Sequence, residues 1–449
     1  MNSKIKNGKN MGTEHWAETT LENVVLHKKG KKPKRLEQNN FKDAVPYIDI
    51  EAFETGRIKQ YADIDSSNCC DEKDVLVVWD GARFGLTGCN QKGSVGSTLA
   101  CLTPVLIEST YLLKFIQRHY STIQTNPKGT GIPHVNPDIF WNLEIPLPPL
   151  NEQKRIVEKL DAILPKVKSA KARLDKIPRI LKKFRQSVLS TACSGKLTED
   201  WREGKDLPEW EVSNIEGVIE DLSYGTSQKC DYNVKDGTPV LRIPNISSGK
   251  LELSDVKYAL LDKKELDKLS LKSGDLLLIR SNGSVSLLGQ SVLIDDSAYG
   301  FAYAGYLIRL RCKKDIIVPR YLDITLKTND LRTQIELPAR STTGVHNINS
   351  AEIKSLVIPL PSLGEQHEIV RLVEKLFAFA DSLEVKYKKA MVCINKIEQS
   401  VLAKAFRGEL VAPDPTDEPA EELLKRILEE KAKLEKKIQN TRKSREKIK

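Results

Sequence analysis

The chain has 449 residues, with 71 Lys and Arg against 61 Asp and Glu, a formal net charge of +10, and 40% hydrophobic and 29% charged residues. That length suits two or three domains with real cores, and that composition excludes a disordered or fibrous chain. No run of about 18 apolar residues is present to span a membrane, and the first residues, MNSKIKNGKNMGTEHW, hold no apolar secretory core.

Residues 1–144 read as a first globular domain. After Trp16 comes Lys28-Lys29-Gly30-Lys31-Lys32-Pro33-Lys34-Arg35, six positive charges in eight positions, a stripe that attracts phosphate backbones. Pro46–Ile50 leads to Gly56-Arg57-Ile58, and Asp74–Val78 reads as a short buried strand running into the polar turn Trp79-Asp80-Gly81-Ala82-Arg83. Gly131-Ile132-Pro133-His134-Val135-Asn136 then leads to a Pro-rich extended stretch, Ile145–Pro148.

Residues 145–207 read as a helical spacer. Asn151 is the expected N-cap, with Glu152 favourable to the helix dipole. A heptad seam follows at Ile156, Leu160, Ile163, Val167, Ala170, Leu174, Ile177, Leu181, Phe184 and Val188, which predicts a rod about 50 Å long, kinked or broken at Pro165 and Pro178. From Lys154 to Arg185 there are twelve basic and three acidic residues.

Residues 208–357 read as a second globular domain, 358–412 as a second spacer and 413–449 as a charged helical tail. The second spacer repeats the first: IPLPPLNEQKRIVEKLDAIL from Ile145 returns as IPLPSLGEQHEIVRLVEKLF from Ile358. The offset is 213 and holds without a gap to Leu197 and Leu410, with 19 of 53 positions identical. Its seam is Ile369, Val373, Leu376, Ala380, Leu383, Tyr387, Ala390, Ile394, Ile397 and Val401. The domains repeat more faintly. Pro239–Ile243 answers Pro46–Ile50, and Asp275–Ile279 answers Asp74–Val78. The turn Arg280-Ser281-Asn282-Gly283-Ser284 answers the first polar turn, and 344–349 answers 131–136. In the tail, Leu423, Leu424, Ile427, Leu428 and Leu434 share a helical face expected to dock on a partner or cover a rod. Lys431 to Lys449 alone carries nine basic and two acidic residues. With three basic stripes accounting for more than the whole excess, the rest of the chain is net acidic.

A chain ordered domain, rod, domain, rod is expected to close on itself with antiparallel rods and a pseudo-twofold internal repeat. Such a chain touches a partner at two places a fixed distance apart. The fold class is α+β, two α/β domains joined by two long antiparallel coiled-coil helices. Arg83, Arg242, Arg280 and Asn282 are of the type that makes bidentate contacts to base edges.

Catalytic motifs are not found. The sequence has no GxxxxGK[ST] loop and no glycine-rich dinucleotide turn. Asn136-Pro137-Asp138-Ile139-Phe140 is similar to the Asn-Pro-Pro-aromatic loop of amino-methyltransferases but lacks the second proline. Asp414, Glu421 and Glu422 read as exposed charge rather than a nuclease site. The six histidines have no HxxxH spacing, and the eight scattered cysteines have no CxxC pair, so no metal site is expected and a reducing cytoplasm fits. The chain is read as one that binds and positions without performing chemistry.

The repeated segments IPLPPLNEQKRIVEKLD with ILKKFRQSVLSTACSGKLTEDWR, and IPLPSLGEQHEIVRLVEKLFAFAD with IEQSVLAKAFRGEL, resemble the two helical regions of the specificity subunits of Type I restriction–modification systems, especially the enterobacterial K/B-type branch. GDLLLIRSNGSVSLLGQ, from Gly274 to Gln290, resembles a stretch of their second target-recognition domain. The second copy departs from the first in running into GELVAPDPTDEPAEELL, without the Trp-Arg ending.

The resemblance implies two target-recognition domains that each read one half of a bipartite, asymmetric double-stranded DNA site. Lys32, Arg35, Arg83, Gly131, His134, Asn136, Arg242, Asn245, Arg280, Ser281, Asn282, Thr343, Gly344 and Asn347 are the residues expected to face DNA. It implies that the rods, through Ile156, Leu160, Ile163, Leu174, Leu181, Val188, Ile369, Val373, Leu376, Leu383, Ile394 and Val401, set the spacer and dock partners. Those partners are two modification subunits carrying S-adenosylmethionine, which methylate adenine by base flipping, and two restriction subunits using ATP and Mg for translocation and cleavage. No cofactor is expected in this chain and no membrane is involved. The competing expectation is a coiled-coil scaffold whose globular ends bind protein; a fused enzyme is the third.

Overall fold

The computed structural model describes residues 13–129, 131–338 and 345–446. Thr343 and Gly344 lie outside the described residues. The chain forms two compact units, Met1–Arg173 with Ala390–Lys449, and Leu174–Lys389. It is α+β, as the duplicated pattern of strands and heptads predicts.

In the first unit the four consecutive apolar residues Val75–Val78 are all buried, which suits a central strand covered on both faces. This strand pairs antiparallel with Leu99–Pro104 and Thr87–Gly88, and Val25–Lys29 extends the sheet beyond Leu99–Pro104. A second sheet pairs Ala44–Ile48 in parallel with Gly93–Val95. The second unit has the same plan. Leu276–Ile279, again fully buried, pairs with Leu307–Cys312 and Ser291–Leu293, with Ile219–Tyr224 outside. There too a second sheet has a parallel pair, Thr238–Leu241 with Ala302–Tyr303.

Each Pro-rich stretch is extended as expected. Glu144–Leu147 pairs antiparallel with Ala17–Thr20, and Val357–Leu360 with Glu211–Asn214. These are two-stranded ribbons, where a proline costs the least pairing.

The two rods differ from each other, the first broken at Pro178 as its prolines lead one to expect and the second continuous. The first is two helices, Leu150–Leu174 and Ile177–Cys193. The break falls before Pro178, which occupies the first turn of the second helix, where a missing N–H costs nothing. Pro165 lies inside the first helix without ending it. The helix starts at Leu150, so Asn151 sits within its first turn and is no cap. The second rod is one helix of 43 residues, Leu363–Ala405, about 65 Å long.

The seams face inward over most of their length. Ile156, Leu160, Val167, Leu181, Val188, Ile369, Val373 and Ala380 are buried, and Ile163, Leu174, Leu376, Leu383, Ile394 and Val401 are half-buried. Ile397 departs from this pattern, being 48% exposed. In the second unit Arg185 bonds Asp381 at 2.6 Å and Glu384 at 3.0 Å, and Arg202 bonds Glu365 at 2.6 Å. Rising numbers on one side meet falling numbers on the other, so these segments run antiparallel.

The tail helix Ala420–Glu446 belongs to the first unit. Ala420, Leu423 and Ile427 are buried in the core that holds Trp16, Leu21, Val24 and Phe406, while Leu424 and Leu434 pack at its edge. Leu428, 44% exposed, is on the outer side of that face.

Candidate nucleic-acid interface

Each globular domain is bolted to its helix by the same pair of residues, Glu-Gln, at the rod's first turn. Glu152 is fully buried. It accepts from Trp16 Nε1 at 3.1 Å, and His15 Nε2 lies 2.7 Å from its other oxygen. Glu365 accepts from Trp210 Nε1 at 3.0 Å, Thr198 Oγ1 at 2.6 Å and Arg202 Nη1 at 2.6 Å. Gln153 accepts from the Glu108 amide and donates to Pro148 O, while Gln366 accepts from Val318 N and donates to Pro361 O. Tyr111 and Tyr321 hydroxyls donate to Pro146 O and Pro359 O at 2.8 and 2.9 Å. Glu152 therefore does more than complement a dipole. A carboxylate inside an apolar core survives only with such partners. The sequence signal was the identity of Glu-Gln in both copies.

Beyond these anchors the turns that follow the two central strands match in backbone and differ in side chain. The Trp79 amide donates to Thr98 O at 2.8 Å and its carbonyl accepts from Val135 N at 2.9 Å. The Arg280 amide donates to Tyr306 O at 3.0 Å and its carbonyl accepts from Ile348 N at 2.8 Å. Asp80 bridges His134 as Ser281 pairs Asn347. Gly30 donates to Leu99 O, and Gly225 to Leu307 O. Both glycines are required by close approach. A Cβ on Gly30 would lie 2.0 Å from Gly96 O, and one on Gly225 would lie 2.2 Å from Tyr303 O. Trp79, Asp80 and His134 thus stand where Arg280, Ser281 and Asn347 stand, and Lys29, just before Gly30, stands where Tyr224 does.

In the second unit these positions open onto a cleft of about 750 Å³ lined by Tyr224, Gln228, Arg242, Lys257, Arg280, Ser281, Tyr306 and Asn347, among others. The Arg280 guanidinium lies 4.7 Å from the Tyr224 ring centre and donates from Nη1 to Gly305 O at 3.1 Å. Arg242 is paired with Asp255 at 3.1 Å, and Tyr232 donates to the same carboxylate at 2.8 Å. Those hydrogen bonds, Tyr232's first, hold the Asp255 carboxyl below its ordinary value. Lys257 lies 4.6 Å from the Tyr232 ring centre. Asn282 accepts from the Ser284 amide and so shapes its own turn. Asn245 is buried, accepting from Arg242 N and donating to Glu252 O and Asp255 O, so it holds a loop instead of facing outward.

The first domain fills the equivalent place with a network. Asp80 lies 2.8 Å from Lys29 Nζ and 2.7 Å from His134 Nδ1. Trp79 packs on Trp141 and Phe140, and His27 stacks on Trp141 at 4.2 Å. Burial, then the Lys431 charge from the tail, lowers the His27 pKa. Lys32 and Gly131 are exposed. Arg35, also exposed, bonds Glu37 at 2.7 Å and lies over Phe41. Arg83 is paired with Glu54, and Asn136 caps the turn Pro137–Phe140 by accepting from Asp138 N. The structure thus groups Arg242, Arg280, Ser281 and Asn347 at one cleft and Asp80 with His134 at another point, while Asn245 stands apart from both as a loop support. Tyr224, Lys257 and Tyr306 were not singled out in the sequence, since lone aromatics and lysines carry no pattern.

All eight cysteines are unpaired thiols, and burial pushes Cys312 up to about 12. Among the described residues no group of His, Cys, Asp and Glu has the arrangement to hold a metal, and no helix is long and apolar enough to cross a membrane.

Residues 13–179 and 208–390 match the model of the Type I restriction modification DNA specificity domain, two tandem copies. The chain is 38% identical over 333 residues to the Type I restriction enzyme EcoKI specificity subunit of Escherichia coli K12, covering 73% of this chain and 71% of that one. It is 32% identical over 430 residues to the EcoBI specificity subunit of Escherichia coli, covering 90% and 88%. A chain from structural work on complex assembly and conformational transition of the type I R-M system superposes with a TM-score of 0.63 at 20% identity, over 88% of this chain and 98% of that one. With two tandem domains matched, each bolted by the same Glu-Gln pair to its own helix, the chain belongs to the family of Type I restriction–modification DNA specificity subunits.

Proposed function

We propose that each globular domain reads one half of a split double-stranded DNA target, and that the two halves differ in sequence. The observation that carries this is the backbone equivalence of Trp79, Asp80 and His134 with Arg280, Ser281 and Asn347. One scaffold presents different donors, acceptors and rings at the same places, the requirement for reading different base edges by one geometry.

The rods fix the distance between the halves, and they receive two modification and two restriction subunits in the cytoplasm. Catalysis belongs to those partners, which bring S-adenosylmethionine for adenine methylation and ATP with Mg for cleavage. The chain itself supplies sequence choice.

The test is co-expression with the modification subunit in a methylation-free host, followed by genome-wide mapping of modified adenines. One split motif with an adenine modified on each strand is expected. Replacing residues 1–144 by the equivalent domain of a relative changes one half of that motif alone. A stable complex that leaves no motif overturns the reading in favour of a scaffold.

A further inference from the structure

We propose that Arg280 reads a guanine in the half-site of the second domain, and that Tyr224 and Gly305 set its guanidinium for that contact. The inference rests on the reading of this domain as a DNA reader and names one of the residues that decides its sequence.

Three observations converge on Arg280. It lines the cleft, at the start of the turn that follows the buried central strand Leu276–Ile279, so its backbone is fixed by the sheet. Its guanidinium is held over the Tyr224 ring, and one Nη1 hydrogen is taken by Gly305 O. Stacking and one hydrogen bond together leave a planar group little freedom to turn. Finally, no carboxylate among the described residues lies within ion-pair distance of it. The cleft's other arginine, Arg242, is answered by Asp255, the buried Arg309 by Asp221 and the half-buried Arg311 by Asp275.

An arginine has five N–H donors. Gly305 takes one, and Nε is buried without a partner. The other three are on Nη1 and Nη2, the end of the fork whose spacing matches guanine O6 and N7 in the major groove. The alternative acceptor with the same spacing is a DNA phosphate, which a pre-set fork also fits. Guanine is favoured because the residue belongs to the set of positions where the two domains differ. Trp79 holds the equivalent backbone site and offers no such fork, whereas a phosphate contact carries no sequence and is needed equally in both halves.

The experiment compares the assembled modification complex carrying the natural chain with complexes carrying Arg280→Ala and Arg280→Gln, by methylation mapping and by binding to synthetic duplexes. In the natural complex the second half-site contains an invariant guanine. In R280A the requirement for guanine is lost at that single position, the first half-site is unchanged, and modification of the original target falls roughly 5- to 150-fold. Replacing that guanine by 7-deazaguanine in the duplex removes one acceptor and needs no protein variant. It weakens binding by the natural complex and leaves R280A unaffected, which keeps the test intact should a variant fold poorly.

A second half-site without guanine overturns the proposal, as does an R280A complex that keeps its guanine requirement. Uniform weakening over all sequences with a salt slope smaller by about one assigns Arg280 to a phosphate instead. Absence of any split motif in the natural complex removes the DNA-reading function itself, a failure distinct from these.

Discussion

Glu152 in the first unit has an indole and an imidazole as partners. Glu365 in the second has an indole, a hydroxyl and the guanidinium of Arg202. Both carboxylates do the same work, tying a Trp at the domain's entrance to the first turn of a rod, with a Gln beside them and a Tyr hydroxyl on the proline carbonyl of the ribbon. At the outward positions the two units share nothing but backbone. Duplication has kept the grip on the helix and released the side chains at the turn, and only the second is compatible with two halves of a target being chosen independently.

The largest test of the shared part is at the glycines. Gly30→Ala and Gly225→Ala each place a methyl within 2.2 Å of a carbonyl oxygen. Each is expected to cost more than about 4 kcal/mol, because backbone on both sides cannot yield. Hydrogen exchange read segment by segment shows protection lost in the altered unit; equal protection in both would break the equivalence.

The anchors sharpen it next. Glu365→Ala strands the Arg202 charge and is expected to cost the second unit about 3 kcal/mol. Glu152→Ala costs the first about 1–2 kcal/mol, because two ring nitrogens lose an acceptor but no guanidinium is stranded. Denaturant titration of each variant measures the difference, and the order reverses if the imidazole carries the anchor. Tyr111→Phe and Tyr321→Phe each remove one hydrogen bond and are expected to cost about 1 kcal/mol alike.

The smallest effect is in pH. His27 and His119, both in the first unit, have pKa values lowered below 6.5, chiefly by burial. The unfolded chain therefore binds protons that the folded unit resists. Stability from these groups is present above 6.5, the ordinary imidazole value, and is lost as the pH falls through the lowered values. Mild acid should lower protection of the first unit ahead of the second, and Lys431→Ala, which removes the second cause acting on His27, should narrow the gap.

Much of this fold was legible. An ungapped repeat with a heptad seam announces two rods, and four-residue apolar runs such as Val75–Val78 announce central strands. Pro178 declared the break in the first rod because a proline fits a helix start, whereas at Pro165 the helix runs on without a break. Asn151 carried cap chemistry but the helix had begun one residue earlier. Of the site, the turn residues Arg280 and Ser281 stood out by type. Asn245 looked equally exposed in sequence and is buried, since only tertiary packing decides whether an amide closes a loop or faces outward. Tyr224 and Tyr306 reach the cleft from strands and turns far apart in the chain, a convergence no local spacing encodes.

The tail helix gives the molecule a schedule as well as a shape. Leu423 and Ile427 complete the core around Trp16 and Leu21, some four hundred residues upstream. On the ribosome the first domain is made before the second but lacks a wall until Leu423 and Ile427 emerge, about 280 residues after its final strand ends at Leu147 and so on the order of 14–56 s later at about 5–20 residues per second. The second unit, continuous from Leu174 to Lys389, needs no such wait. Of the two units, the one whose translation begins earlier is therefore finished later, and for that interval its open apolar wall is what the cell's chaperones would meet.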